Sequence, residues 1–318
     1  MTPATFHEGE RAVQSRVSPA VRERMEQIGP RVIRDFMPDQ HREFFEQLPF
    51  VVAGTVDDAG QPWASMLAQP PGFIHSPDPH RLVLRAQPLA GDPLQGTLAD
   101  GAPIGLLGIE PHTRRRNRMN GIVRGLHASG FAVGVSQSFG NCPKYIQARE
   151  PRYVNPPRIV KPVIHESPQL NDAARRMIAL ADTLFIATAY AGDGEQAGRA
   201  SGVDVSHRGG KPGFVRVEDD GTLTMPDFFG NFFFNTLGNI VVNPRAGLLF
   251  ADFDNGDLLY LAATAEIIWD GPEVASFTGA QRLLRFKVQS MRLVENSLPL
   301  RWGEAELSPA LETTGAWA

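Results

Sequence analysis

Cysteine and long apolar runs are both scarce in this sequence. Cys142 is the one cysteine among 318 residues, which excludes an internal disulfide framework and a metal site built from several cysteines, and fits a reducing compartment. No window approaches the ~18 apolar residues of a membrane-spanning helix. The segment 1–17, MTPATFHEGERAVQSRV, has no apolar core of the kind that a secretory signal requires. We therefore expect a cytoplasmic protein with no membrane partner.

A strong excess of charge is also absent. The formal net charge is −4 and the sequence pI is about 6.1, so the chain is not a generally basic protein of the kind that coats nucleic acid. The eight histidines form no HxxxH or HExxH pair, and we expect no metal site. Hydrophobic residues make up 42% of the chain, which is enough to build the core of one large domain or two ordinary ones.

What the sequence does contain is one order of elements that occurs twice. PGF at 71–73 recurs at 212–214, the GDPLQGTL that begins at Gly91 is echoed by GNFFFNTL from Gly230, and GLL at 105–107 recurs at 247–249. The offsets are 141, 139 and 142 positions. A repeat of this length indicates two similar domains rather than a solenoid. The alternative is a chance recurrence of common tripeptides.

The predicted domain boundaries follow from composition and from the spacing of apolar residues. Apolar alternation and turn residues predict mostly strands after Pro49, with hairpins around DDAG and around residues 254–256, and a helix over NFFFNTLGNIVVNP. The predicted division is an N-terminal helical segment (1–47), a first β domain (48–150), a proline-rich linker (151–171), a second β domain (172–290) and a C-terminal tail (291–318).

The stretch TRRRNRMNG, residues 113–121, gathers four arginines between two predicted strands. Guanidinium groups this close repel one another unless water or an anion surrounds them. Alternation along a strand would put Arg114, Arg116 and Arg118 on one face and Arg115 and Asn117 on the other. The arginines are either a solvated hairpin tip or an anion site. No second basic cluster and no interleaved aromatics accompany them, so we expect no nucleic-acid partner.

A second polar cluster, DVSHRGGKPG, spans residues 204–213. Consecutive glycines allow backbone N–H groups to converge on an anion, and Ser206, Arg208 and Lys211 would add hydrogen bonds and charge. The spacing is not that of a Walker loop, because Pro212 follows the lysine. A plain tight turn is the alternative. His207 lies inside this cluster, where it could form a hydrogen bond with a ligand or transfer a proton.

The third cluster is GNFFFNTLGNI, residues 230–240. At helical spacing Asn231, Asn235 and Asn239 share one face. Amides beside a phenylalanine-rich surface suit a ligand with a polar edge and an apolar slab, such as a flavin ring. The phenylalanines are otherwise ordinary core residues.

Together these motifs resemble the pyridoxamine 5′-phosphate oxidase-like family of FMN-binding split β-barrels, and especially its duplicated bacterial members. Arg115-Arg116-Asn117 through Gly121 is similar to an arginine-glutamine-valine segment of the oxidase that ends in glycine, and QSFGNCPKYIQAR at 137–149 is similar to a segment of the duplicated members. The resemblance covers about residues 45–290. It implies a mainly β fold with flanking helices (α+β), consisting of two FMN-binding split β-barrel domains that arose by internal duplication.

In this family the flavin lies where two barrels meet. The resemblance therefore implies a monomeric pseudo-dimer or a homodimer in which FMN lies between barrels. We assign its phosphate to Arg116, Arg118, Ser206, Arg208 and Lys211, and its ring edge to His207, Asn231, Asn235 and Asn239. The full set of expected cofactor-binding residues is Arg115, Arg116, Asn117, Arg118, Asn120, Asp204, Ser206, His207, Arg208, Gly209, Gly210, Lys211, Asn231, Asn235, Thr236 and Asn239.

The function that follows is an FMN-dependent oxidoreductase that passes hydride or electrons from a reduced nicotinamide, NAD(P)H, or another donor to an unknown small-molecule acceptor. His207 is the one candidate catalytic residue. Pyridoxamine phosphate oxidation itself is not expected, because the substrate-binding arginine and histidine pattern of the oxidase is not recognisable here. The alternative is a non-catalytic flavin or haem carrier or sensor. The tail SLPLRWGEAELSP is a candidate surface for a reductase partner.

Overall fold

The chain consists mainly of antiparallel strands, with helices at the edges. The computed structural model describes residues 5–154, 162–192 and 201–317, and none of the helices in these ranges is long and apolar enough to cross a membrane. Its elements are α1 Glu8–Val17, α2 Pro19–Val32, α3 Asp39–Glu46, β1 Phe50–Val56, β2 Pro62–Ala68, β3 Ile74–Asp78, β4 Arg81–Leu84, α4 Leu94–Thr97, β5 Pro103–Glu110, β6 Arg115–His127, β7 Gly130–Gly140, β8 Pro151–Tyr153, β9 Ile164–Ser167, α5 Asp172–Leu180, β10 Thr183–Tyr190, β11 Gly202–Gly209, β12 Arg216–Val217, β13 Leu223–Phe228, α6 Asn235–Val242, β14 Arg245–Ala251, β15 Leu258–Ile268, α7 Pro272–Ser276, β16 Ala280–Val294 and β17 Leu300–Trp302.

Two sheets share one strand order. The first sheet reads β2-β1-β5-β6-β7-β4-β3 and the second reads β11-β10-β14-β15-β16-β13-β12, so the strands of each half follow one another in the same spatial sequence. Each half also has a helix before its first strand, α3 or α5, and another between its fourth and fifth strands, α4 or α6. The predicted fold class, a mainly β chain built by internal duplication, is confirmed.

The strand registers fix which residues of the two halves are equivalent. Val52 of β1 lies opposite Leu107 of β5, and Phe185 of β10 lies opposite Leu249 of β14. Val52 and Phe185 are each the third residue of the first strand in their half, so Leu107 and Leu249 are counterparts. Both end the tripeptide GLL, whose recurrence predicted the duplication.

Strand β10 shows how the halves pack. All eight of its residues, TLFIATAY, are buried, because one face lies in the core of the second half and the other lies against the first half. Leu184 and Ile186 belong to the inner core, whereas Phe185 and Ala187 belong to an apolar layer shared with residues of β1, β2 and β5. A continuous apolar run is typical of a strand that is covered on both faces. The shared layer makes the two halves one packed body.

Two glycines set the distance between the halves. A Cβ atom on Gly105 of β5 would lie 2.3 Å from the carbonyl oxygen of Val203 in β11, and one on Gly247 of β14 would lie 2.2 Å from that of Pro62 in β2. Gly105 and Gly247 are counterparts in the two halves. The same close backbone approach thus occurs twice, related by the internal two-fold arrangement, and a side chain at either position would separate the sheets.

The segments outside the two sheets differ in part from their predicted form. β9, inside the predicted linker, pairs with β16 and widens the second sheet, and β8 pairs with β17. Residues 155–161 of that linker lie outside the described residues. β16 continues to Val294, four residues beyond the predicted end of the second domain, because its pairing with β15 extends that far.

The predicted helix over residues 231–244 is shorter than expected. It begins only at Asn235, because Phe232 and Phe234 adopt left-handed backbone conformations with φ of 62° and 59°. A non-glycine residue in this region interrupts a right-handed helix. The prediction that Asn231 lies on one helical face with Asn235 and Asn239 is therefore wrong.

We predict that Gly105→Ala and Gly247→Ala each lower the free energy of unfolding by about 1–3 kcal/mol, since the added methyl group meets a backbone oxygen that cannot move without opening the interface. Gly134→Ala in β7 is the matched control, because a Cβ there has its nearest contact at 3.9 Å. Urea unfolding of the three variants measures the difference. Equal midpoints for all three would contradict the close approach.

Candidate functional site

A cavity open to solvent lies between the two halves, where β6 faces β11. Its volume is about 110 Å³. β5, β6 and residues 141–145 of the first half form one wall, and β11, β13 and residues 228–237 of the second half form the other. The cavity brings together Arg116, Arg118, Ser206, His207, Arg208, Gly209, Asn231, Asn235 and Thr236 from the predicted site.

The arginine run separates onto two faces, as strand alternation predicts. Arg116 and Arg118 point into the cavity, whereas the Arg115 guanidinium carbon lies 4.9 Å from the centre of the Phe44 ring on the other side of the sheet. Arg114 was predicted to share the face of Arg116. It does not, because the chain turns at Arg114, with φ of 55°, before β6 begins, and its guanidinium pairs with Glu306 at 2.7 Å.

Arg116 carries a charge that no carboxylate of the described residues neutralises. Its Nε donates to the carbonyl of Cys142 at 2.7 Å and its Nη1 donates to the carbonyl of His207 at 3.1 Å. Burial lowers the pKa of Arg116 to about 10, with a smaller contribution from nearby guanidiniums. The side chain is therefore still a cation at neutral pH, held in place by neutral acceptors.

Arg118 joins the two halves through a buried ion pair. Its Nη1 donates to Asp204 Oδ1 at 2.9 Å and its Nη2 donates to Ser206 Oγ. Burial lowers the pKa of Arg118, and the negative charge of Asp204 partly opposes this shift. Asp204 also accepts hydrogen bonds from Asn120 and Asn239, at 2.8 and 3.0 Å. These contacts make one network across the interface.

A second ionic group lies at the other end of β11. Arg208 Nη1 donates to Asp227 Oδ1, and Arg282 Nη1 lies 3.3 Å from Asp227 Oδ2. One carboxylate thus faces two guanidiniums, so this group keeps a net positive charge beside the cavity.

His207 is buried between these cations. Burial, followed by the charges of Arg116, Arg208 and Arg149, holds its pKa well below the ordinary value of 6.5. The imidazole is therefore neutral at pH 7. Its Nδ1 lies 3.3 Å from Arg116 Nη1, and because a guanidinium only donates, Nδ1 is the acceptor and the proton is on Nε2. His207 can donate a hydrogen bond, but it does not bind a second proton near neutral pH.

An aromatic wall completes the cavity. The rings of Phe229 and Phe232 meet edge to face at 5.1 Å, and those of Tyr145 and Phe228 lie 5.0 Å apart. Lys144 Nζ lies 5.0 Å from the centre of the Phe229 ring, which is 47% exposed. The cavity thus has a cationic side and an aromatic side.

Helix α1 supplies a polar layer behind the cavity that the sequence reasoning missed. Glu10 accepts a hydrogen bond from Asn235 Nδ2, and His7 Nε2 lies 2.9 Å from Asn239 Oδ1. Gly9 and Gly238 let the two helices approach, because a Cβ on Gly9 would lie 2.1 Å from the Gly238 oxygen. His7, Glu10 and Gln14 recur at helical spacing in FHEGERAVQ, which is the signal that could have found them.

Burial gives Glu10 an unusual protonation state. Burial, and after it the negative charge of Asp204, raise the pKa of Glu10 to about 8. Glu10 is thus mostly protonated at neutral pH, and it adds little negative charge beside Asn235 and Thr236.

Seven predicted site residues do not line the cavity. Asn120, Asp204 and Asn239 lie behind its wall, in the Arg118 network. Arg115 and Asn117 are on the opposite face of β6. The N–H of Gly210 is engaged by the carbonyl of Asp182, and Lys211 Nζ donates to the carbonyl of Thr314 at 2.7 Å.

The predicted glycine-rich anion loop is therefore wrong in its geometry. The segment from Ser206 to Gly209 is the extended end of the edge strand β11, so its N–H groups point alternately toward β10 and away from it and do not converge on one anion. Lys211 lies beyond the strand, where the chain turns away toward the C-terminal residues.

Several buried donors at the cavity have no partner. Arg118 Nε, Arg208 Nε and Asn141 Nδ2 make no hydrogen bond within the described part of the chain, although all three residues line the cavity. A buried donor without an acceptor is costly. In the described ranges no group of three or more His, Cys, Asp and Glu side chains could hold a metal ion. The arrangement suits an anion that accepts several hydrogen bonds.

No protein-family model and no curated protein matches this sequence. Among solved structures, the chain is similar to a protein of Lactobacillus delbrueckii assigned as a pyridoxamine 5′-phosphate oxidase, at 16% identity, with 39% of this chain and 94% of that chain covered and a TM-score of 0.31. It is also similar to HupZ of Group A Streptococcus (15% identity, 38% and 96% covered, TM-score 0.29) and to an FAD-binding protein of Mesorhizobium loti (11% identity, 41% and 98% covered, TM-score 0.26).

These similarities concern the fold alone. Each covers about two fifths of this chain and nearly all of the other. The pyridoxamine 5′-phosphate oxidase and the FAD-binding protein are of the flavin-binding class that the sequence predicts.

We predict that Glu10→Gln stabilises the protein increasingly as the pH rises from 5 to 9. A carboxyl group whose pKa is about 8 when folded and near 4.5 when unfolded contributes stability below pH 4.5 that is lost as the pH rises to about 8. The amide has no such loss, so its advantage should reach ~1–3 kcal/mol. Urea unfolding at pH 5, 7 and 9 measures it.

The exposed Glu23 of α2 provides the control. Glu23→Gln makes the same change from carboxyl to amide on the surface, so it measures the effect of the substitution itself. A Glu10→Gln variant whose stability follows that of the parent at every pH would mean that this carboxyl ionises normally.

Proposed function

We propose that the cavity binds FMN and that the protein is a flavoprotein. The observation that supports this is the set of unpartnered guanidinium and amide donors beside an aromatic wall, at the junction between two copies of one fold. The cationic side of the cavity suits a phosphate group. The aromatic side suits an apolar ring with a polar edge.

The charges around the cavity fit a phosphate dianion. Arg116, Arg118, Arg208 and Arg282 contribute four guanidiniums, against which stand the two carboxylates Asp204 and Asp227. With Glu10 largely protonated and His207 neutral, an excess positive charge is left for the ligand. Guanidinium groups bind phosphate through directed, charge-assisted hydrogen bonds. In this proposal Arg116, Arg118, Ser206 and Arg208 hold the phosphate.

The other wall would hold the ring. Phe229, Phe232 and Phe234 offer faces and edges for a planar aromatic ligand. Asn231 and Asn235 place amides at the edge of this wall, and neutral His207 offers the Nε2 proton to a carbonyl oxygen. The aromatic side chains would also exclude water from one face of the ligand.

The reaction we propose is electron transfer from a reduced nicotinamide or another donor to a small-molecule acceptor. Bound flavin supplies the hydride and electron chemistry, while the residues of the chain bind it, orient it and fix the charge around it. Because His207 does not titrate near neutral pH, we propose for it a fixed hydrogen bond rather than the proton transfer that the sequence suggested. Pyridoxamine phosphate is not the proposed substrate.

A non-catalytic carrier or sensor is the alternative function. The exposed Phe229 edge leaves the aromatic side open to solvent, as an electron-transfer site requires, whereas a storage site would be expected to enclose its ligand. Anaerobic addition of NADPH separates the two. Rapid loss of the flavin's visible absorption, which reports its reduction, supports the oxidoreductase. Bound flavin that stays oxidised with every nicotinamide donor supports the carrier.

We predict that Arg116→Gln weakens FMN binding at least about tenfold, because it removes a charge-assisted contact to the phosphate, and that it leaves the affinity for riboflavin, which has no phosphate, within about twofold of the parent value. Arg115→Gln is the matched control on the opposite face of β6. Lys211→Gln tests the predicted anion site in the glycine-rich segment 204–213. Both should bind FMN normally in a fluorescence titration.

The riboflavin arm separates loss of the phosphate contact from general damage to the cavity. If Arg116→Gln and Arg115→Gln bind FMN equally well, the phosphate does not lie where we propose. If Lys211→Gln loses FMN as Arg116→Gln does, the sequence-based assignment of the phosphate to both residues was right and the present exclusion of Lys211 is wrong.

A further inference from the structure

The duplication creates a second junction between the halves, and its residues can be identified from the strand registers. Arg118 pairs with Leu107 across β5 and β6, and Tyr260 pairs with Leu249 across β14 and β15. Since Leu107 and Leu249 are counterparts, Tyr260 occupies the position of Arg118. By the same registers Leu258 occupies that of Arg116. The two arginines that β6 directs into the cavity thus have a phenol and an aliphatic side chain as their equivalents.

The strands that face them are related in the same way. Met66 lies opposite Val52 in β2, as His207 lies opposite Phe185 in β11. Met66 is therefore the counterpart of His207, and the preceding Ser65 is the counterpart of Ser206. The serine is shared by the two junctions, whereas the imidazole has been replaced by an apolar side chain.

The loop before α4 fills the second junction. Asp92, which corresponds to Asn231 in the repeat that begins at Gly91 and Gly230, accepts hydrogen bonds from Ser65 Oγ at 2.5 Å and from Tyr260 OH at 2.9 Å. It also accepts from the N–H of Leu94 at 2.7 Å. Asp92 is 1% exposed, and Ser65 and Tyr260 are 0% exposed.

The chemistry of the second junction opposes an anion. Asp92 brings a carboxyl group to the place where the cavity has cations, and burial raises its pKa to about 6. The guanidinium of Arg292, whose charge acts on Tyr260, is paired with Glu166 and donates to the carbonyl of Gly91. A phosphate would have to displace a satisfied, fully buried network.

We propose that the chain binds one FMN, at the Arg116 and Arg118 junction, and that the Ser65, Asp92 and Tyr260 network has converted the equivalent junction into a structural contact between the halves. Tyr260 belongs to the second half and Asp92 to the first, so their hydrogen bond crosses the interface as the Arg118 contact to Ser206 does. This inference rests on the proposed function and adds its stoichiometry.

Equilibrium dialysis of the intact protein against FMN tests the stoichiometry. We expect one FMN per chain at saturation. Two per chain would overturn this inference and leave the proposed function intact. Binding of none would overturn the proposed function and this inference together.

Two variants test the role of the network. Tyr260→Phe removes only the hydroxyl group, and Asp92→Asn keeps the shape of the side chain. We expect each to lower the melting temperature by about 1–4 °C, as the loss of a buried hydrogen bond predicts, and to leave the FMN dissociation constant within twofold of the parent value.

Arg116→Gln provides the comparison, because it should weaken FMN binding at least about tenfold whereas Tyr260→Phe should not. A Tyr260→Phe variant that binds FMN tenfold more weakly at one site, or that reduces a stoichiometry of two to one, would show that the second junction holds ligand. Should Asp92→Asn fail to fold, Tyr260→Phe decides the question alone.

Discussion

The buried ion pair between Arg118 and Asp204 is the contact on which the candidate site depends. Their side chains are 3% and 13% exposed, so both charges have lost most of their water, a cost that an isolated pair does not regain. Asn120 and Asn239 donate to the Asp204 oxygens and Ser206 accepts from Arg118 Nη2, while Arg118 Nε is left without a partner among the described residues. Because the arginine comes from one half of the chain and the aspartate from the other, the same contact that orders the interface also directs a cation into the cavity.

The internal duplication explains why such a site can form within one chain. Gly105 and Gly247 keep the two backbones equally close on either side of the interface, so the packing has remained symmetric. The polar residues at the two junctions, however, are not symmetric. One junction combines arginines, a neutral histidine and aromatic side chains, whereas the other is filled by Asp92 and Tyr260. Symmetric packing with asymmetric chemistry is what allows one junction to serve stability while the other keeps an open cavity.

The sequence predicted local features well, because strands and hairpins follow from apolar alternation and turn residues. The repeat of GLL and the opposite faces of Arg115 and Arg116 are of this kind. It failed where the answer depended on backbone geometry or on distant partners. No local pattern shows that Phe232 and Phe234 take left-handed conformations, or that Lys211 reaches Thr314. The role of Glu10 was missed because only the tertiary fold brings α1 against α6.

The phosphorus NMR spectrum of bound FMN tests the central claim most directly, namely that guanidiniums from both halves converge on one phosphate. A phosphate monoester in water has a second pKa of about 6, and contact with several cations lowers it. The account predicts a single bound resonance that keeps the chemical shift of the dianion from pH 8 down to about pH 5. A bound resonance that titrates near pH 6, as in free FMN, would contradict it.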